Sequence, residues 1–159
     1  MRCIIRVVLT ILQMITIFSA SAADEQMLSI TLNVIKPPCI LNGGQNINVN
    51  FGDEVFTTRI DGVYKKQKIE YKPTNCLTSK FKLRIEGNPA AWDSKLLASN
   101  NEGLGIRFLN SGTELALYSW INFSSSKWPV LEAALVKNDK KVLKSGPFTA
   151  GATLMIEYQ

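Results

Sequence analysis

The stretch Leu28-Ser29-Ile30-Thr31-Leu32-Asn33-Val34-Ile35-Lys36-Pro37-Pro38-Cys39 decides how the rest of the chain is read. Leu28, Ile30, Leu32 and Val34 fall on one face of an extended strand, and Ser29, Thr31 and Asn33 fall on the other. The Pro37-Pro38 pair then blocks a simple continuation of that strand into the next element. The result is an arm with one face made for burial, set off from the domain behind it.

Upstream of the arm, residues 1–22 have the form of a secretory signal peptide. Arg2 and Arg6 give a positive start, residues 7–18 are apolar, and Ala20-Ser21-Ala22 is a small-residue cleavage pattern. Cleavage is expected after Ala22, with Ala23 as the next choice. The apolar run is shorter than the about 20 residues a spanning helix needs, so direct membrane insertion is not expected. The chain is thus expected to divide into a leader (1–22), an arm (23–38) and one domain (39–159).

Composition supports that division. The 159 residues are 46% hydrophobic and 19% charged, which suits a globular core. The net charge is +5, and Arg2 and Arg6 in the leader account for two of those charges. No basic block interleaved with aromatics is present, so nucleic acid is not an expected partner. Lys65, Lys66, Lys68, Lys140 and Lys141 read as solvated positions of hairpins.

Cysteine usage agrees with export. Cys3 belongs to the leader, leaving Cys39 and Cys76 and a single possible pairing in an oxidising compartment. Closing the loop between them would stabilise the fold by about 4 kcal/mol in the chain-entropy model. Two reactive thiols are the rival reading. There is no Cys-x-x-Cys pattern, and the chain has no histidine to activate a thiolate.

The domain reads as short strands broken by turns. Residues 47–51, 64–71, 81–87, 105–109, 130–136 and 149–158 are the main strand candidates, with a mixed aromatic stretch at 115–123. Asn42-Gly43-Gly44, Asp61-Gly62 and Asn110-Ser111-Gly112 are turn signals. A short helix around Ala134 and Leu135 is conceivable, but the length there favours a strand. Frequent turns between short strands indicate an all-β sandwich. In the last strand Ala152, Leu154, Ile156 and Tyr158 share one face, opposite Thr153, Met155 and Glu157. Only Gln159 follows, so nothing behind this apolar strand is at hand to cover its outer edge. An uncovered apolar edge is an aggregation hazard, and a strand from another molecule would remove it.

Several motifs in this order resemble the pilin subunits of the bacterial chaperone–usher pathway, in particular minor subunits of P-type and type 1-like fimbriae. They are Pro37-Pro38-Cys39-Ile40-Leu41-Asn42-Gly43-Gly44-Gln45-Asn46-Ile47, then Val49-Asn50-Phe51-Gly52, then Cys76 at the family's disulfide spacing, and finally Gly146 with the penultimate Tyr158. The resemblance covers the whole chain after the leader. It implies an incomplete immunoglobulin-like sandwich of six strands that lacks its seventh.

A periplasmic chaperone would then lend a strand to a groove formed by Gly146, Ala152, Leu154, Ile156, Tyr158 and Gln159, gripping the carboxylate of Gln159. At the outer-membrane usher the arm of a neighbouring pilin subunit would replace it. The arm of this chain, through Leu28, Ile30, Leu32 and Val34, would fill the groove of the subunit assembled before it. Related arms often carry a glycine where this chain has Leu32, which implies a deeper acceptor pocket or a shifted arm. The implied place is a fimbrium on the cell surface, reached through the periplasm.

Other function classes have less behind them. Asp53, Glu54, Asp61, Glu86 and Asp93 are scattered, and neither a catalytic constellation, a metal-ligand pattern nor a cofactor motif is visible. Trp92, Trp120 and Trp128 are too dispersed to define a sugar site. Tip adhesins of the family place a lectin domain before the pilin domain, where this chain has only the arm. The expectation is therefore a minor or adaptor pilin. A major rod subunit, a terminating subunit and a self-contained secreted sandwich are the alternatives.

Overall fold

A computed structural model describes residues 39–76 and 80–159. The leader, its cleavage site and the arm with Leu28, Ile30, Leu32 and Val34 lie outside the described residues.

Period-two patterning is clearest in β4 (Lys80–Gly87), where Phe81, Leu83 and Ile85 are buried and Lys82, Arg84 and Glu86 are half-buried. β4 is the middle of a three-stranded sheet, flanked by β9 (Ile121–Ser124) and β11 (Ala152–Tyr158). The second sheet runs in the order β2 (Gln67–Lys68), β10 (Leu131–Lys137), β7 (Leu104–Asn110), β6 (Asp93–Ala98) and β5 (Pro89–Ala90). β8 (Thr113–Leu115) folds back on β7. Ser111 and Gly112, both at positive φ, make the two-residue turn between them. A small separate pair joins β1 (Ile40–Leu41) to β3 (Pro73–Thr74). Every ladder is antiparallel.

The core lies between the sheets. Leu83 and Ile85 of β4 meet Ile106 and Phe108 of β7 and Leu131, Ala133 and Leu135 of β10 in one cluster. This is the layered packing of an immunoglobulin-like sandwich. The Cys39–Cys76 disulfide forms and ties the start of β1 to the end of the β3 segment.

The ladders differ in detail from the sequence reading. The expected six-stranded sandwich is cut into eleven ladder segments among the described residues, several of only two residues, by turns and by a register shift between Pro89 and Ala90. Residues 64–71 contribute only β2. Residues 47–51 keep their alternation of burial but join no ladder among the described residues. Sequence patterning missed β6, because its first half is polar and Leu96 and Leu97 point to opposite faces. Leu97 joins the core, whereas Leu96 packs against Gly105 beside Trp92.

The tryptophans separate as well. Trp128 joins Phe81, Phe123 and Tyr71 in an aromatic cluster, with ring centroids 4.9 to 6.1 Å apart. Trp120 lies under Lys82 and Arg84, which sit 4.5 and 4.4 Å from its ring centre.

Candidate functional site

Among the described residues, β4 is the one strand that pairs with β11. Ala152 pairs with Gly87, Leu154 with Ile85, Ile156 with Leu83 and Tyr158 with Phe81. Directly paired residues share a face, so the apolar side of β11 points into the sandwich. On the opposite face Glu157 binds Lys82 at 2.8 Å, and Arg84 reaches the Met155 sulfur at 3.8 Å. Yet Leu154 and Ile156 remain half-buried, while their partners Ile85 and Leu83 are 3% and 0% exposed. Among the described residues the sandwich is closed over β4 and open over β11.

The facing wall is the extended segment 47–51. Ile47 and Val49 are half-buried, Phe51 is buried, and the intervening Asn48 and Asn50 are exposed. Phe51 meets Phe148 at a centroid distance of 6.0 Å. The disulfide and the β1–β3 pair fix the chain immediately upstream of this wall.

Between the two walls lies a groove of about 1510 Å³ whose floor includes Ile85, Leu97, Leu104, Ile106 and Phe108. The connection from β10 to β11 completes it through Leu143, Gly146 and Phe148. Gly146 takes φ 120°, a backbone region that favours glycine, and it faces open space.

Among the described residues, neither the segment 47–51 nor the outer edge of β11 belongs to a ladder across this groove. An apolar trough between two such backbone edges has the chemistry to take an extended strand: main-chain groups for hydrogen bonds and pockets for alternate side chains.

Of the residues picked out in the sequence, Gly146, Ala152, Leu154 and Ile156 line the groove. Tyr158 and Gln159 sit just beyond its lining. The Tyr158 ring packs on Phe81 at 5.5 Å, and its hydroxyl donates to the Asn75 carbonyl at 3.3 Å. The Gln159 amide donates to the Lys80 carbonyl at 3.2 Å, and its side chain donates to Asn122. The wall of Ile47, Val49 and Phe51 went unrecognised because its alternation is that of any ordinary strand. So did Leu143 and Phe148, which have no periodic context at all.

The altered acidities lie away from this groove. Backbone N–H groups of Val63 and Tyr64, 2.9 and 2.8 Å from Asp61 Oδ1, hold that carboxyl below its ordinary value. Burial pushes the Tyr71 phenol up to about 12, and its hydroxyl donates to the Pro129 carbonyl at 2.6 Å. Both arrangements anchor loops. Among the described residues no group of three His, Cys, Asp or Glu side chains is placed to hold a metal ion.

Comparison with known proteins places this architecture. The fold matches the P pilus rod subunit PapA with a TM-score of 0.65 at 20% identity, covering 84% of this chain and 100% of that one. It matches the P pilus adaptor subunit PapF with a TM-score of 0.52 at 25% identity, covering 80% and 100%. By sequence, the chain is 32% identical to the fimbrial-like protein YfcR of Escherichia coli K12 over 130 residues, which is 77% of this chain and 74% of YfcR. It is 28% identical to YfcQ, another fimbrial-like protein of the same strain, over 88% of this chain and 91% of YfcQ. The model of the fimbrial protein family matches residues 28–159. The chain therefore belongs to the fimbrial protein family, as a structural subunit of the chaperone–usher type and not an enzyme.

Proposed function

We propose that this protein is a minor or adaptor subunit of an adhesive fimbria, polymerised by donor-strand exchange at an outer-membrane usher. The observation that carries the reading is the groove of about 1510 Å³ between β11 and residues 47–51. In this reading a periplasmic chaperone fills the groove first, and the arm of a neighbouring subunit then takes its place. Leu154 and Ile156 line the pockets, and Tyr158 and Gln159 form the end of the strand the chaperone grips. The arm, residues 23–38, is donated in turn to the subunit assembled before this one. The 7 residues of β11 match the length of the alternating run from Leu28 to Val34, so donor and acceptor strands of this type are commensurate. In support of the adaptor assignment, the chain is 25% identical to the P pilus adaptor subunit PapF.

Energetics fit a strand-for-strand exchange. Burying Leu28, Ile30, Leu32 and Val34 gains about 1.5–3 kcal/mol each. Ordering the arm costs about 1–2 kcal/mol per residue for the backbone. Those terms are comparable, so ladder hydrogen bonds and a preformed groove decide the outcome.

The test is periplasmic expression with and without a cognate chaperone, followed by native mass spectrometry and immunogold labelling of fibres. A one-to-one complex and label confined to the fibre tip are expected. Label along the whole shaft would make the protein a rod subunit. A stable lone monomer that ignores the chaperone would overturn the strand-acceptor reading.

A further inference from the structure

The groove wall made by residues 143–151 is held in an unusual way. Among the described residues this later part of the connection from β10 to β11 joins no ladder, and only three hydrogen bonds reach it. All three involve two neighbouring residues in the turn after β6: the backbone amide and side chain of Asn100 and the side chain of Asn101. The Asn100 amide donates to the Thr149 carbonyl at 3.0 Å, and the Thr149 amide donates back to Asn100 Oδ1 at 2.8 Å. Asn101 Nδ2 donates to the Lys144 carbonyl at 2.9 Å.

The turn that carries these two residues is itself stiffened. Ser99 Oγ lies 2.7 Å from the Leu104 carbonyl and 3.0 Å from the Asn101 carbonyl, which share its one proton, and it accepts from the Asn101 amide at 3.1 Å. Below it, Leu143 covers Gly103 so closely that a Cβ there would come within 2.8 Å of Leu143 Cδ2.

We propose that Asn100 and Asn101 are positioning residues for strand acceptance: they hold residues 144–149 as a preformed wall, so that an entering strand meets an ordered groove. The inference rests on the strand-acceptor reading above. Its physical basis is preorganisation. An untethered loop would have to be ordered at the moment of binding, and that cost would be subtracted from the affinity. The two asparagines also serve through opposite chemistry. Asn100 is needed as an acceptor at Oδ1, and Asn101 as a donor at Nδ2. Aspartate therefore replaces the first and not the second.

The experiment uses the full chain co-expressed with its chaperone. Purified complexes of wild type, N100A, N100D, N101A and N101D are mixed with an excess of isotopically labelled chaperone, and self-exchange is followed by native mass spectrometry. The expected result is exchange about tenfold faster for N100A, N101A and N101D, the size of one lost hydrogen bond of about 1.4 kcal/mol. N100D is expected to exchange near the wild-type rate. Equal rates for all five proteins would overturn the inference while leaving the strand-acceptor reading in place. Loss of complex by N100D as much as by N100A would also overturn it, because the acceptor is retained. A wild-type chain that forms no chaperone complex would sink the strand-acceptor reading itself.

Discussion

Tyr71 shows how much one side chain contributes outside the groove. Its ring stands edge-on to Trp128 at 6.1 Å, and its hydroxyl closes onto Pro129. Its folded pKa of about 12 lies above the unfolded value near 10, because burial disfavours the phenolate. The folded state therefore holds its proton more tightly. The contribution is complete below pH 10 and is lost as pH rises from 10 toward 12. Y71F should cost about 1 kcal/mol at neutral pH through the lost hydrogen bond. It should also flatten the alkaline fall in stability, which urea unfolding at pH 7 and pH 11 would register. Gly105 poses a packing question of the same scale. A Cβ there would stand 3.2 Å from Leu96 and from the Trp92 ring, so G105A should lose about 1–3 kcal/mol by overpacking, read as a lowered urea midpoint. An unchanged midpoint would mean that the outer face of this sheet is loosely packed.

At the scale of elements, the groove has two walls with different supports. β11 is held by a full ladder to β4, whereas residues 47–51 depend on side-chain anchoring and on the disulfide upstream. Replacing Cys39 and Cys76 by serine should cost about 4 kcal/mol in the chain-entropy picture. Hydrogen exchange in residues 47–51 should rise by more than in β4. A uniform rise through both would mean that the crosslink acts on the whole domain and not on this wall. The arm is a separable element in the donor-strand reading. I30D should leave the chaperone complex intact and abolish incorporation into fibres, whereas I156D should lose the chaperone complex itself. Normal assembly of I30D would refute the arm's role.

For the whole molecule, the open side over β11 is the governing feature. Among the described residues it leaves a groove with an apolar floor, and an uncovered apolar edge in water invites association with another edge. Export without a chaperone should therefore give aggregation or degradation, and co-expression should restore soluble protein in periplasmic fractions. Cooperative unfolding of a soluble, chaperone-free monomer would show that the domain is complete as it stands. In the donor-strand reading the same openness makes function a property of an assembly, because the groove is finished by a strand from another chain.

Local pattern carried much of this into the sequence. The alternation in β4 and β11 fixed which residues face inward, since a strand has only two faces and one of them here is apolar. With Cys3 assigned to the expected leader, Cys39 and Cys76 were left to pair with each other, and Asn110-Ser111-Gly112 could hardly be anything but a tight turn. The motifs from Cys39 to Tyr158 were enough to indicate the family. What pattern could not carry is which edges are joined. Residues 47–51 alternate as cleanly as residues 81–87, yet among the described residues only the second group has ladder partners, because pairing depends on what lies alongside. The same holds for Asn100 and Asn101, polar residues in a turn like many others until the fold brings Lys144 and Thr149 beside them. Periodicity along the chain sets which way each side chain points. The groove exists only because the tertiary fold leaves two particular backbone edges facing each other with no strand of this domain between them.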